Sequence, residues 1–485
     1  MTRVTDPVAA DETRRQAGHD RWKALGVALV AGFMTLLDVS IVNVALPSIR
    51  SGLQAGESAL SWIVSGYALT FGLVLVPSGR IGDARSRRGV FMAGLALFTA
   101  ASAAAGLART VGWLVVARLV QGVGGGVINP QISGLIQQLF RGSERGRAFG
   151  ILGGTIGIAT AVGPLTGGLL IGLSGPQEGW RWVFYVNVPV GIAALALAWR
   201  FVPAGPVSSA GGRRESLDPF GVLLLGVGVV LLLLPFVEQQ WKGPGKWLLV
   251  PAAMLTLVCF VAWERRYGRW HEPLMDLSLF TMRSYSMGTS LILLYFAGFS
   301  AVFFIYTLYV QNGVGYTPLQ AGLAMTPFAV GSGIASLVGG RAVSRLGRPL
   351  VASGLFLVAV GFIAVAIAVH LVPGHHVALA TALPLFVGGV GSGLVIAPNQ
   401  TITLSEVPPS RGGAAGGMLQ TGQRIGAAIG IAAVGSVFFS TVKATRGDWA
   451  RSFEHGLLML LTFVAAAFAL ALLDLVTGRS GDGGR

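Results

Sequence analysis

Fourteen apolar runs, most of them about twenty residues long, decide what this chain can fold into. They fall at 24–47, 57–79, 89–108, 112–134, 146–172, 180–199, 217–237, 246–263, 285–310, 317–340, 349–371, 376–399, 412–438 and 455–475. A hydrocarbon core takes about 20 apolar residues per helix, and in lipid only helices and closed barrels satisfy their own backbone. The runs are too long for barrel strands, so the sequence predicts an all-α integral membrane protein. Only 11% of the 485 residues are charged, against roughly 25% in soluble domains. The 71 glycines suit membrane helices, whose backbones approach closely at small residues.

The net charge of +15 invites a nucleic-acid reading, but its distribution points to topology. If the first residues are cytoplasmic, 25 of the 35 Lys and Arg fall in segments on that side and 8 on the other, while Arg118 and Arg424 lie inside runs. That bias follows the positive-inside rule and predicts both termini in the cytoplasm. Residues 1–23 read as a polar cytoplasmic tail without the apolar stretch of a signal peptide, and 476–485 as a second tail. Cys259 is the single cysteine, which excludes an intrachain disulfide.

A repeat organises the runs. Residues 79–88 (GRIGDARSRR) follow the second run, and 340–349 (GRAVSRLGRP) follow the tenth. The offset of eight predicts a six-helix bundle over 24–200, a segment over 201–284 with two inserted helices (217–237 and 246–263), and a second six-helix bundle over 285–475. Repeats of this kind build transporters with a site near the midplane between the halves.

The motifs that punctuate this arrangement resemble the major facilitator superfamily, and more narrowly its fourteen-helix drug:proton antiporters. Gly79, Asp83, Arg87 and Arg88 match the superfamily loop signature, Ser86 replacing a usual glycine. In the second copy Ser344 stands where the Asp would be. ARLVQGVGGG (117–126) is similar to the family's R-x-x-q-G motif. GPLTGG (163–168) is similar to the motif of antiporters, with Gly163, Pro164, Gly167 and Gly168 matching. GWRWVFYVNVPVG (179–191) and LDVSIVNVALP (37–47) resemble further family markers. The resemblance implies 6 + 2 + 6 helices in a bacterial inner membrane and no bound cofactor, with the proton gradient as energy source. It implies a loop that governs conformational switching, and Asp38 with Arg118 coupling protons to substrate. The implied partners are a small molecule, protons and the bilayer, with no nucleic acid and a monomer as the working unit.

The residues themselves support part of this. A charged side chain at mid-helix costs roughly 2.5–3.5 kcal/mol on insertion scales and marks a functional site. Asp38, Arg118 and Arg424 are such residues. Counting from the helix ends places Asp38 and Arg118 within roughly 4–5 Å of the same depth, so they can pair. Burial disfavours the charged carboxylate and a neighbouring Arg favours it, so such a group can take and release a proton. A structural salt bridge is the plainer alternative. Asn43, Gln121, Asn129, Asn399, Gln420 and Arg424 are candidates for a substrate cavity, each with an ordinary reading as an interhelical hydrogen bond; Gln131, Gln137 and Gln400 belong with them.

No second carboxylate is read at mid-helix; Glu238 and Asp474 sit at helix ends. Two Arg and one Asp suit a neutral, zwitterionic, anionic or at most monocationic substrate. The expected function is proton-driven export of small amphipathic compounds such as antibiotics. The alternative is an exporter of one endogenous metabolite: an amino acid, a siderophore or a self-made antibiotic. A lipid-modifying enzyme lacks a Ser/His/Asp set, a nucleotide loop or a metal cluster, since His19, His271, His370, His375, His376 and His455 are all off-centre in the runs. A sensor lacks an effector domain.

Overall fold

The computed structural model describes residues 7–175, 177–204, 218–237, 243–271, 273–372 and 374–482. The described residues form helices and connecting turns, with no strand among them. The first bundle comprises α1 (Pro7–Leu53), α2 (Glu57–Ala84), α3 (Arg87–Gly106), α4 (Val111–Leu139), α5 (Gly142–Ser174), α6 (Gly179–Tyr185) and α7 (Asn187–Phe201). The inserted pair is α8 (Pro219–Val237) and α9 (Leu249–Tyr267). The second bundle comprises α10 (Arg283–Leu308), α11 (Pro318–Leu346), α12 (Arg348–Leu371), α13 (Val377–Thr403), α14 (Gly412–Ala444) and α15 (Trp449–Asp482). Among the described residues thirteen helices are long and apolar enough to cross a membrane, and 219–232 forms a shorter apolar one. The fourteen runs therefore each find a helix.

Three boundaries differ from the sequence reading. Residues 7–23, read from sequence as a polar tail, continue α1 as helix; a helix already nucleated extends at little cost through sequence containing Ala and Arg. The sixth run is two helices, α6 and α7, meeting at Val186. At the far end α15 continues to Asp482, so 476–482 is helical. Residues 205–217 and 238–242 of the inserted segment, with Glu238, lie outside the described residues.

Each half has its own core. Leu25, Phe91, Phe98, Phe140 and Phe149 are buried in the first, and Tyr295, Phe328, Leu355, Phe438 and Leu460 in the second. The halves meet along small-residue seams. A Cβ on Gly146 would lie 2.6 Å from the Gly340 carbonyl oxygen, and one on Gly150 2.7 Å from that of Ser336. The glycines thus bring α5 and α11 into backbone contact, the packing expected where lipid supplies no hydrophobic drive. The inserted pair is peripheral. Met254, Leu255 and Val258 of α9 are exposed, while Gly226 of α8 abuts Leu73 of α2.

Candidate functional site: a buried ion pair and an interhalf latch

α1 and α4 bring Asp38 and Arg118 together inside the first bundle, where both are buried. Arg118 Nη1 donates to Asp38 Oδ2 at 2.5 Å. Asp38 Oδ1 accepts from Gln121 Nε2 at 2.8 Å and from Asn187 Nδ2 at 3.0 Å. Both amides also donate to Ser102 Oγ, at 2.6 and 3.1 Å. Arg118 further donates to the Gln121 side-chain oxygen at 2.7 Å and through Nε to the Ile63 carbonyl at 3.0 Å. Its guanidinium lies 4.2 Å from the Tyr67 ring centroid and 5.8 Å from that of Phe184. Charges in a low-dielectric interior are tolerated when paired and hydrogen-bonded in this way.

The helical register explains the assembly. Arg118 and Gln121 are three apart on α4 and so share a face. Glycines at 122, 124, 125 and 126 then let α2 and α3 close on that helix: a Cβ on Gly122 would sit 2.4 Å from the Tyr67 carbonyl, and one on Gly124 2.6 Å from the Phe98 nitrogen. The GPLTGG segment does the same for α1. A Cβ on Gly163 would meet Ser40 at 2.3 Å, and one on Gly167 would meet Ile41 at 3.0 Å. Gly168 faces Leu319 across the halves at 3.7 Å. Pro164 lies within helical backbone of α5.

A second charged site joins the halves at the face that carries the Arg-rich loops, here the basic face. Asp83 and Arg87 are buried, with Arg87 Nη2 donating to Asp83 Oδ1 at 2.6 Å. Arg87 also donates to Gly134 O and Gln138 Oε1, both at 3.0 Å, and to the Pro409 carbonyl. Asp83 accepts from the backbone nitrogens of Gly413 at 3.0 Å and Ala414 at 2.8 Å. These are free N–H groups in the first turn of α14, where the helix dipole also favours an anion. Gly79 permits the approach: a Cβ there would lie 2.4 Å from the Gly413 oxygen. Arg88 donates to the Trp199 carbonyl at 2.5 Å and covers the Trp199 ring, tying α3 to α7. Ser86, out of pattern with the signature, caps α3 by accepting from Gly89 N.

Further bonds cross between the halves: Gln137 to the Leu404 carbonyl at 2.8 Å, Gln400 to Ser133 at 3.3 Å, and Gln420 to the Asn129 carbonyl at 3.5 Å. Among the described residues, hydrogen bonds between the bundles lie from the basic face up to the Asn129–Gln420 level. The structure is closed at that end.

The remaining candidates are placed apart. Asn129 binds Thr35 and its own helix at Gly125. Asn399 donates to the Gly288 carbonyl inside the second bundle, which is helix packing. Asn43 is exposed and is not in the Asp38 network. Arg424 is half-buried with its guanidinium 4.5 Å from the Phe71 ring centroid.

Sequence reading missed Asn187 and Ser102. Asn187 sits inside the GWRWVFYVNVPVG segment, where a lone amide among apolar residues was the available signal; Ser102 in an Ala-rich run carries none. It also missed two buried carboxylates at the base of the inserted pair. Asp218 accepts from Trp263 Nε1 at 2.7 Å, and Glu264 from Met275 N at 3.1 Å. Glu264 stands one residue past its apolar run, yet α9 continues through it and buries it. Asp474, expected at a helix end, lies inside α15, which continues to Asp482; it is buried and joins Arg283 and Arg348. Among the described residues no three His, Cys, Asp or Glu side chains are grouped to hold a metal.

The model of the Major Facilitator Superfamily matches residues 28–431 and 288–482. The chain is 34% identical over 423 residues to the probable actinorhodin transporter of Streptomyces coelicolor, covering 86% of this chain and 72% of that one. It is 32% identical to the tetracenomycin C resistance and export protein of Streptomyces glaucescens, covering 89% and 78%, and to the multidrug resistance protein Stp of Mycobacterium tuberculosis, covering 85% and 75%. Among solved structures, the human organic anion transporter MFSD10 superposes with a TM-score of 0.67 at 15% identity over 93% of this chain and 99% of that one. The proton:xylose symporter XylE gives 0.64 at 18% identity over 92% and 95%; these two likenesses bear on fold. With its paired helical bundles, its interhalf seam and these matches, the chain is a multi-pass membrane transporter that belongs to the Major Facilitator Superfamily.

Proposed function

We propose that the chain is a proton-driven exporter of small organic compounds of the antibiotic class, working by alternating access. The observation that carries the coupling is the buried network around Asp38, an ionisable group at membrane depth that accepts from three side chains on two other helices, two of which Ser102 of α3 braces. Protonation of Asp38 removes the charge that Arg118 neutralises and turns one acceptor oxygen into a donor. α1 is packed by glycines onto α5, and α5 by glycines onto α11, so a change at Asp38 has a rigid route to the interhalf seam. The latch at Asp83 holds the closed end. The Lys and Arg bias supports a cytoplasmic position for that end, so the latch is read as the closure of the cytoplasmic side.

The driving force is adequate. One proton crossing 100 mV yields about 2.3 kcal/mol and one pH unit about 1.4 kcal/mol. Together they sustain a gradient of several hundredfold for a neutral cargo at one proton per molecule.

The named roles of relatives as transporters or resistance proteins for antibiotics support the cargo class. A dedicated exporter of one such compound is the second reading, favoured by relatives named for single compounds, such as the cephamycin export protein of Amycolatopsis lactamdurans. Uptake of a compound panel into inverted vesicles separates the two. Wild type driven by a proton gradient should concentrate several chemically distinct compounds, and Asp38→Asn none, with normal insertion. Uptake by Asp38→Asn with an intact pH response rules out the coupling role; uptake of a single compound selects the dedicated exporter.

A further inference from the structure

Two arginines stand at membrane depth, and only one has a counter-ion. Arg118 is held by Asp38. Arg424 lies on α14, twelve residues from its start at Gly412, so about 18 Å along the helix axis and near the middle of a core about 30 Å thick. Among the described residues it forms no ion pair, and none of its five N–H groups donates a hydrogen bond. Its contact is the Phe71 ring, 4.5 Å from the guanidinium carbon. A guanidinium remains charged under any biological condition. Ring contact engages its flat face and leaves the N–H edges, which are shaped for a planar anion.

The neighbours hold Arg424 in place, Phe71 and Tyr67 being themselves buried. Gln420, one turn earlier on the same face, donates across the halves to the Asn129 carbonyl at 3.5 Å. Phe71 stacks toward Tyr67 with centroids 5.9 Å apart, and Tyr67 in turn underlies Arg118. Asp38, Arg118 and Arg424 together leave one positive charge unbalanced across the Tyr67–Phe71 ladder.

We propose that Arg424 is the receptor for the acidic group of the substrate, and that the exported compounds are organic monoanions, carboxylates or phenolates. The acid meets the free N–H edge of Arg424, while the buried Phe71 ring holds the flat face of the guanidinium. This rests on the export function proposed above and narrows its cargo.

The test is binding to the purified full-length protein in lipid nanodiscs, without a proton gradient, so its outcome is independent of proton coupling. The probes are a naphthalene carboxylate and its uncharged methyl ester. Wild type should bind the carboxylate at least about tenfold more tightly than the ester, a difference of about 1.4 kcal/mol. Arg424→Gln should lose that selectivity with ester binding unchanged, and Arg424→Lys should keep most of it. Equal binding of acid and ester by wild type, selectivity retained in Arg424→Gln, or equal weakening of both probes in that variant each overturns the assignment. A selective wild type whose Asp38→Asn variant still transports with proton drive would refute the coupling and leave the anion receptor standing.

Discussion

Arg118 and Arg424 are the same residue inside apolar helices of opposite halves, and the protein treats them differently. Arg118 is enclosed, with a carboxylate, a side-chain amide, a backbone carbonyl and two rings around it. Arg424 is half-buried against one ring. A cation saturated by its own protein belongs to the protein's internal working, whereas one left open is available to something that arrives. The two Arg-rich loops show the same asymmetry. Asp83 in the first copy closes the seam onto α14; Ser344 in the second is exposed and turns back to the Arg341 carbonyl. The paired charges at membrane depth lie in the first bundle, while the second bundle keeps its ion cluster, Asp474 with Arg283 and Arg348, near the basic face and, among the described residues, leaves Arg424 without an ion pair.

The comparison breaks most readily at the arginines. Arg118→Ala leaves a buried carboxylate without its counter-ion and should cost about 3–5 kcal/mol, read as a large loss of thermal stability in detergent. Arg424→Ala removes an unpaired charge and should change stability by less than about 1 kcal/mol. Similar losses from both would mean that Arg424 is structural too. Asn187→Ala deletes a hydrogen bond to a charged acceptor and should cost about 2 kcal/mol, read in the same assay. A stability within error of wild type would show that Gln121 alone holds that side of Asp38.

The latch offers a sharper contrast. Asp83→Asn loses the charge that strengthens its bonds to Arg87 and to the first turn of α14. It should shift the balance away from the closed basic face by about 1–2 kcal/mol. Spin-label distances across that face report it, with Cys259, exposed on α9, first replaced by Ser. Ser344→Ala in the second copy should leave those distances unchanged. Smallest of all, Asn399→Ala should cost about 1 kcal/mol of stability and leave transport selectivity alone, because its partner is the Gly288 carbonyl within one bundle.

Much of the fold was legible because lipid imposes a length and polarity rule on every spanning segment. The fourteen runs, the loop repeat and the position of the inserted pair all follow from it. The pairing of Asp38 with Arg118 was readable from depth, since opposite charges at one level inside a membrane favour each other. Asn187 and Ser102 were not, because neutral polar residues carry no such penalty and their burial depends on which faces meet. Asn399 and Asn43 show the converse: an amide in an apolar run announces a hydrogen bond or an exposed face, not its purpose. Glu264 was hidden by its position one residue beyond the apolar run, where charge normally meets water. What α1 does before Asp20 was masked by its polar composition, since the α-helical pattern continues after hydrophobicity stops.

The central claim is that Asp38 carries the coupled proton, and proton movement itself tests it most directly. In proteoliposomes containing a pH dye, adding a transported compound to one side should drive protons through the wild-type protein in the opposite direction. Asp38→Asn, inserted normally and still binding the compound, should move none. Substrate-driven proton flux of wild-type size through Asp38→Asn would contradict the account.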